Sequence, residues 1–393
     1  MAVPNPEPLP PGLGIDIDRA VRLADEGHLL VGGSPPRALR LPPEGVSAVI
    51  RWLGGARPRH HHERVLARTL VDTGLAHPRP EPVTPGSEAQ VVLTTTGGDI
   101  DVRALARTLS ALRAEHPDVR VLVVGATGLA AGTARRYDAH VVDGPAHGAA
   151  ARAAGLRAVE TEFVAFLHIG TEPMPGWLSV ALGHFADTDV AAVVPRTLAA
   201  RERRGNVGMT VAALRAAHCD HGPDPAPMSS RGHVPHGPGR SASHVATHPV
   251  AALEPVRALV VRRDVAGLDP SLGASAEVDL VWRLADAGRS IRYEPRSRVR
   301  VPLSGAPGAY LRARWATGVA AARLARRHGR RATGPRIAVP ALIGAALAAA
   351  GRPVAGVAAG VTGVVDTART LHAGAGVAPV ATVLPAVTDL VDT

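Results

Sequence analysis

An apolar run, Phe163-Val164-Ala165-Phe166-Leu167, stops at His168-Ile169-Gly170-Thr171-Glu172 and then meets the turn-formers Pro173 and Pro175. A continuous apolar segment of this length, bounded by turn signals, reads as a strand buried on both faces in the middle of a sheet. In open α/β sheets ligands collect at the carboxyl end of such strands, so His168 and Glu172 either face a pocket or merely mark a strand-to-loop transition. Around this segment apolar and polar positions alternate between two periods. Strands are expected at 90–94, 119–124, 140–142, 190–194, 256–263 and 290–295. Helices are expected from Asp101 through Leu105, Leu109 and Leu112, over 129–137, over 149–159, and from Glu277 to Gly288 with Leu280, Val281 and Leu284 on one side. Strands separated by helices of this length predict an α/β domain with a mainly parallel sheet and right-handed crossovers. Between Leu198 and Val250 the periodicity fails and Pro, Gly, Ser and His predominate, which predicts a long loop or lid.

Ahead of this domain the pattern is of another kind. Residues 1–12 are Pro-rich and read as disordered. Strands follow at 15–23, 28–31 and 37–41, then helices opened by Pro43 and by Glu63, the second closed by Gly74. Together they suggest a winged-helix-like α+β module over 13–80 with an exit linker at 78–85. Such a module could meet DNA or pair a peptide along a strand edge. The second helix lacks Asn, Gln or aromatic base readers, so DNA is disfavoured and peptide recognition preferred. His60, His61 and His62 stand together, but neighbours in a helix point to different faces, and a solvated turn is the plainer reading. Beyond residue 304 a helical segment carries Arg312, Arg314, Arg323, Arg326, Arg327, Arg330 and Arg331, followed by apolar runs at 337–350 and 354–365. Neither run reaches the roughly 20 residues a spanning helix needs. A surface-lying or re-entrant hairpin on an anionic membrane face, or a soluble helical pair, remains.

The chain has 393 residues, a formal net charge of +10 and no lysine at all. Its length admits two or three domains. An all-arginine positive surface favours phosphate-bearing ligands, nucleic acid or acidic membrane. The single cysteine, Cys219, excludes an intrachain disulfide and, with no secretory pattern at the N-terminus, points to the cytoplasm, with peripheral attachment at the inner membrane face as the extension. Cys219 beside His218 and His221 lacks the second pair that a zinc site requires.

The order of these pieces from about Gln90 to Val301 resembles the family 2 glycosyltransferases of the GT-A fold. With GHLLVGGSPPRALRLPPEGV and LVDTGLAHPRP ahead of it, the chain is similar to the mycofactocin-system glycosyltransferases of actinobacteria; HGAAARAAGL, VAFLHIGTEPMPGWL, HFADTDVAAVVPR, ALVVRRDVAGLDPSLG and EVDLVWRLADAGRSIRYEP carry the rest. The resemblance implies a Rossmann-like, mainly parallel mixed sheet over 88–303, a nucleotide-sugar donor, a divalent metal (Mg or Mn), and inverting transfer to a peptide-derived redox cofactor precursor. It places Glu277 at the base position with Asp279 beside it, and puts Thr95, Thr96, Arg152, His168 and Gly170 around the donor. Where the family's metal-binding Asp-x-Asp pair belongs, this chain has His168-Ile169-Gly170, leaving Glu172 as the nearest metal candidate. Gly125-Ala126 replaces the uridine-contacting acid, and Thr94-Thr95-Thr96 follows the first strand. Scaffold positions persist while ligand positions change, so two expectations stand side by side: a glycosyltransferase of reduced or lost activity, and a pseudo-enzyme that binds a peptide or partner.

Overall fold

The structure is a computed structural model, and it describes residues 7–33, 37–95, 98–199, 222–231, 245–247, 257–301, 315, 319 and 322–328. Chain contacts divide it into two units, one built on residues up to Arg79 and the other beginning at Pro80.

In the first unit β1 (Gly14–Ile17) pairs antiparallel with β5 (Ala76–Arg79), and β2 (Arg22–Ala24), β3 (Leu29–Gly32) and β4 (Arg37–Arg40) form a second small sheet. Helices α1 (Pro43–Leu53) and α2 (His61–Thr73) close over them, burying Val49, Trp52, Leu70 and Val71 with Ile15 and Leu30. Three expectations need correction. The alternating stretch 15–23 is cut in two, because the Asp18 carboxylate accepts the amide of Ala20 at 2.8 Å and the ring Nε2 of His77 at 2.7 Å, turning the chain there. Pro78, read as the start of a linker, lies inside β5, where the edge of a two-stranded sheet tolerates it. Residues 7–12 are not loose: Leu9 is fully buried, its amide donates to Arg64, and the Arg64 and Arg68 guanidiniums donate to the carbonyls of Leu9 and Glu7. One apolar side chain among prolines suffices to seat the segment. His60 and His62 stack, exposed, at the start of α2.

The second unit is the expected α/β domain. Its elements are β6 (Ala89–Thr94), α3 (Val102–Glu115), β7 (Arg120–Val124), α4 (Gly128–Arg136), β8 (His140–Val142), α5 (Gly148–Ala158), β9 (Phe163–His168), β10 (Glu172–Pro173), α6 (Trp177–Gly183), β11 (Val190–Ala199), β12 (Ala226–Pro227), β15 (Ala258–Arg262), α7 (Ala276–Asp286) and β16 (Ser290–Val301), while β13 (Ser229–Arg231) and β14 (Val245–Thr247) pair only with each other, and residues 230–248 count with the first unit. Strand order is β10-β16-β11-β15-β9-β6-β7-β8, with β12 alongside β16. The apolar strand β9 therefore lies mid-sheet, parallel to β6 and antiparallel to β15. Strands β12 to β14 fall within the span expected to be loop. They are two or three residues long, too short to show a hydropathic period, and β12 is held through backbone pairing with Arg292 and Tyr293.

Side chains alternate between the two faces of these strands. Val91, Leu93, Ala165, Leu167, Ala258 and Val260 point to a core filled by Leu105, Leu109 and Leu112 of α3 and by Trp177 of α6. Asp101 starts α3 by accepting the amides of Arg103 and Ala104. On the other face α5 presses down at Gly155, where even a Cβ would come within 2.3 Å of a Val92 methyl. That close approach brings the α5 side chains onto the carboxyl ends of β6 and β9.

Candidate active site

At the carboxyl ends of the central strands, register decides what meets. Thr94 lies level with His168, and Ala258 lies level with Leu167. Arg257 precedes Ala258, and its carbonyl accepts the His168 amide at 3.1 Å. Since Leu93, Leu167 and Ala258 belong to the core beneath α3, alternation turns Thr94, His168 and Arg257 to the face covered by α5. Arg152 descends from α5 onto this row. Its guanidinium stands 5.9 Å from the Phe166 ring centroid, bonds the His168 Nε2 and pairs with the Glu277 Oε1. Glu277 arrives from the first turn of α7, whose approach is fixed by Ala149 of α5 packing on Leu272 and Ala276.

The group is dry: the Arg152 and Glu277 side chains are 2% and 6% exposed. Burial first, and then the charge of Arg257, push the Arg152 guanidinium down to about 9. While one Glu277 oxygen is held by Arg152, the other, Oε2, is buried with no hydrogen-bond partner among the described residues, and so is the Thr94 Oγ1. Buried polar atoms are nearly always satisfied, so the Glu277 Oε2 is open to a further donor and the Thr94 hydroxyl to a donor or an acceptor. A ligand hydroxyl can supply one. Chemically the arrangement offers a fixed carboxylate beside two guanidiniums.

The other residues singled out in the sequence take other places. Asp279 is fully buried but turned to different partners: Arg283 at 2.8 Å, His328 at 2.8 Å and Arg327 at 3.2 Å, which tie the helical stretch 322–328 to α7. His328 also meets the Trp282 ring edge-on. The Thr95 amide is committed to the Ala146 carbonyl, and the Gly170 amide to the Thr108 hydroxyl, so neither is presented to a phosphate. Thr96 lies outside the described residues, as do Cys219, His218 and His221 and nearly all of the C-terminal segment. Glu172 is half exposed on β10, with the Arg107 Nε at 4.0 Å as its charged neighbour. Among the described residues no group of three His, Cys, Asp or Glu could hold a metal, and none of their helices is long and apolar enough to cross a membrane. The divalent metal implied by the resemblance does not fit the described residues: His168-Ile169-Gly170 brings no carboxylate, Glu277 is engaged by Arg152, and the charge of Arg257 acts on Arg152 as well. Thr94 and Arg257 were not anticipated, although their phase relative to His168 follows from strand alternation alone.

No family model matches the chain. It is similar to the pre-mycofactocin glycosyltransferases of two strains of Mycobacterium tuberculosis, with 34% identity over 311 residues, covering 73% of this chain and 57% of each relative. The chain thus spans little more than half the length of these curated relatives. Among solved structures it is similar to a glucosyl-3-phosphoglycerate synthase from Mycobacterium tuberculosis in complex with Mg2+ and UDP (17% identity, 61% of this chain and 78% of that one, TM-score 0.38). It is likewise similar to a mannosyltransferase from Pyrobaculum calidifontis in complex with GDP-Man and Mn2+ (16% identity, 80% and 90%, TM-score 0.42).

Proposed function

From the relationship of this chain to the pre-mycofactocin glycosyltransferases, we propose that it moves a sugar from a nucleotide donor to a hydroxyl of a peptide-derived acceptor, with Glu277 as the base. The observation that carries the reading is the buried Oε2 of Glu277 at the outlet of the central strands, without a hydrogen-bond partner among the described residues, its sister oxygen fixed by Arg152. An acceptor hydroxyl placed on Oε2 gives up its proton there as its oxygen attacks the anomeric carbon from the side opposite the leaving diphosphate. The new C–O bond forms as the bond to phosphate breaks, so the anomeric configuration inverts. Pre-fixing the carboxylate supplies orientation, which general base catalysis needs before any tuning of acidity. The small antiparallel sheet of the first unit, with β2 and β4 as its edges, is part of the proposal as the seat of the acceptor's peptide portion. The proposal includes work in the cytoplasm at the membrane face, supported by the exposed Arg323 and Arg326.

One observation favours a second reading, that of a non-catalytic scaffold: the same Arg152 that fixes Glu277 also covers it. Incubating the purified chain with UDP- and GDP-sugars and the peptide-derived acceptor, followed by mass spectrometry of the acceptor, separates the two. A hexose-sized mass gain is expected. An unmodified acceptor with every donor, from protein that still binds the acceptor, leaves the scaffold reading.

A further inference from the structure

We infer that the donor's diphosphate is held here by guanidinium groups, with Arg257 as the contacting residue and Arg152 behind it, and that binding needs no divalent metal. The inference rests on the glycosyl-transfer reading and specifies how that site takes its donor.

Among the described residues gathered at the strand ends, two guanidiniums, Arg152 and Arg257, stand with one carboxylate, Glu277, and both Arg152 and Glu277 are buried. That the two guanidiniums feel each other is visible in Arg152, whose proton is held less firmly because of Arg257 as well as of burial. A dication brought to this spot would meet two like charges and no free carboxylate pair, whereas a diphosphate would meet the opposite sign. Arg257 is suited to the contact. It is half-buried, immediately before β15, and its carbonyl accepts the His168 amide, so its backbone is fixed at the rim of the row. The guanidinium fork matches the spacing of phosphate oxygens in a way a metal-free carboxylate site cannot.

Arg152 has a different task. Seated on Phe166 and bound to His168 and Glu277, it orients the base and adds its charge from beneath. When the glycosidic bond to phosphate breaks, the electron pair moves to the leaving phosphate oxygen, next to Arg257, and the acceptor proton goes to Glu277. Both changes of charge are then met by groups already in place.

The test is calorimetric titration of the full chain with UDP and GDP, once with excess EDTA and once with excess MnCl2, each repeated with inorganic pyrophosphate as competitor. Equal affinity in the two buffers, displacement by pyrophosphate, and a loss of at least about tenfold in Arg257→Gln, the scale of one charge-assisted hydrogen bond, are expected. Arg257→Lys is expected to recover only part of that loss, because it restores charge without the fork. Binding only in MnCl2, or binding unaffected by Arg257→Gln, overturns the inference while leaving a donor site intact. No binding of either nucleotide in either buffer, by protein with an unchanged circular dichroism spectrum, overturns the glycosyl-transfer reading as well. Arg152→Met serves as the second variant: it is expected to weaken binding less than Arg257→Gln does, and the reverse order would assign the contact to the wrong arginine.

Discussion

Glu294 sits on β16 with its side chain 3% exposed, and its acidity should govern how the large sheet responds to acid. Its Oε2 accepts from the His184 Nε2 at 2.8 Å and from the Arg296 guanidinium at 3.0 Å, and its Oε1 accepts the Arg296 amide at 2.8 Å. Burial alone would raise this carboxyl. The hydrogen bonds from His184 and Arg296 and their charges outweigh that effect and hold it at about 2, against an ordinary 4.5. Burial pushes the His184 imidazole below its usual value, whereas the Arg296 guanidinium carries a permanent charge. Because the folded value is depressed, the stabilisation is complete above pH 4.5 and is lost as pH falls from 4.5 toward 2. At about pH 3 roughly one and a half units of that window have been crossed, which at about 1.4 kcal/mol per unit amounts to about 2 kcal/mol. Native-state hydrogen exchange of peptides covering β11 and β16 reads this locally. Between about pH 6 and about pH 3 the parent should lose about 2 kcal/mol more protection than Glu294→Gln, compared on a His184→Gln background so that the imidazole coupled to Glu294 does not titrate in either. Equal losses in parent and variant would refute the reasoning.

Three further outcomes follow from the same packing. Arg152→Met leaves the Glu277 carboxylate buried without its partner and should cost about 3–5 kcal/mol, and adding Glu277→Gln should recover part of it; thermal unfolding of the single and double variants checks this. Asp279→Asn removes the charge that holds Arg327 and His328, so trypsin cleavage after Arg323 and Arg326 should accelerate about tenfold or more while the fold persists, as measured by timed digestion and mass spectrometry. Gly155→Ala forces a methyl against Val92 and should destabilise by about 1–3 kcal/mol in denaturant titration, with α5 displaced from β6.

Much of this was legible from residue order. The apolar run ending at His168 is a central strand because nothing polar interrupts it, and the helix opened by Glu277 returns to the same strand ends as the topology requires. What remained hidden depends on contacts distant in sequence. Asp279 at a helix start looks like a candidate acid, yet its partners Arg327 and His328 lie some fifty residues onward, beyond any local rule. His184 and Glu294, 110 residues apart, join only because α6 and the short helical turn after it pack on β16. Strand β5 escaped notice because its pairing is a backbone matter that Pro78 and His77 disguise. Leu9 escaped because the prolines around it dominate the composition.

The central claim is that Glu277, steadied by Arg152, accepts the acceptor's proton. Single-turnover transfer by the parent and by Glu277→Gln, with donor affinity measured in parallel, addresses it most directly. The variant should retain nucleotide binding and lose transfer by about 10²–10⁴-fold, the usual contribution of a positioned base. An unchanged rate at unchanged affinity would contradict the account.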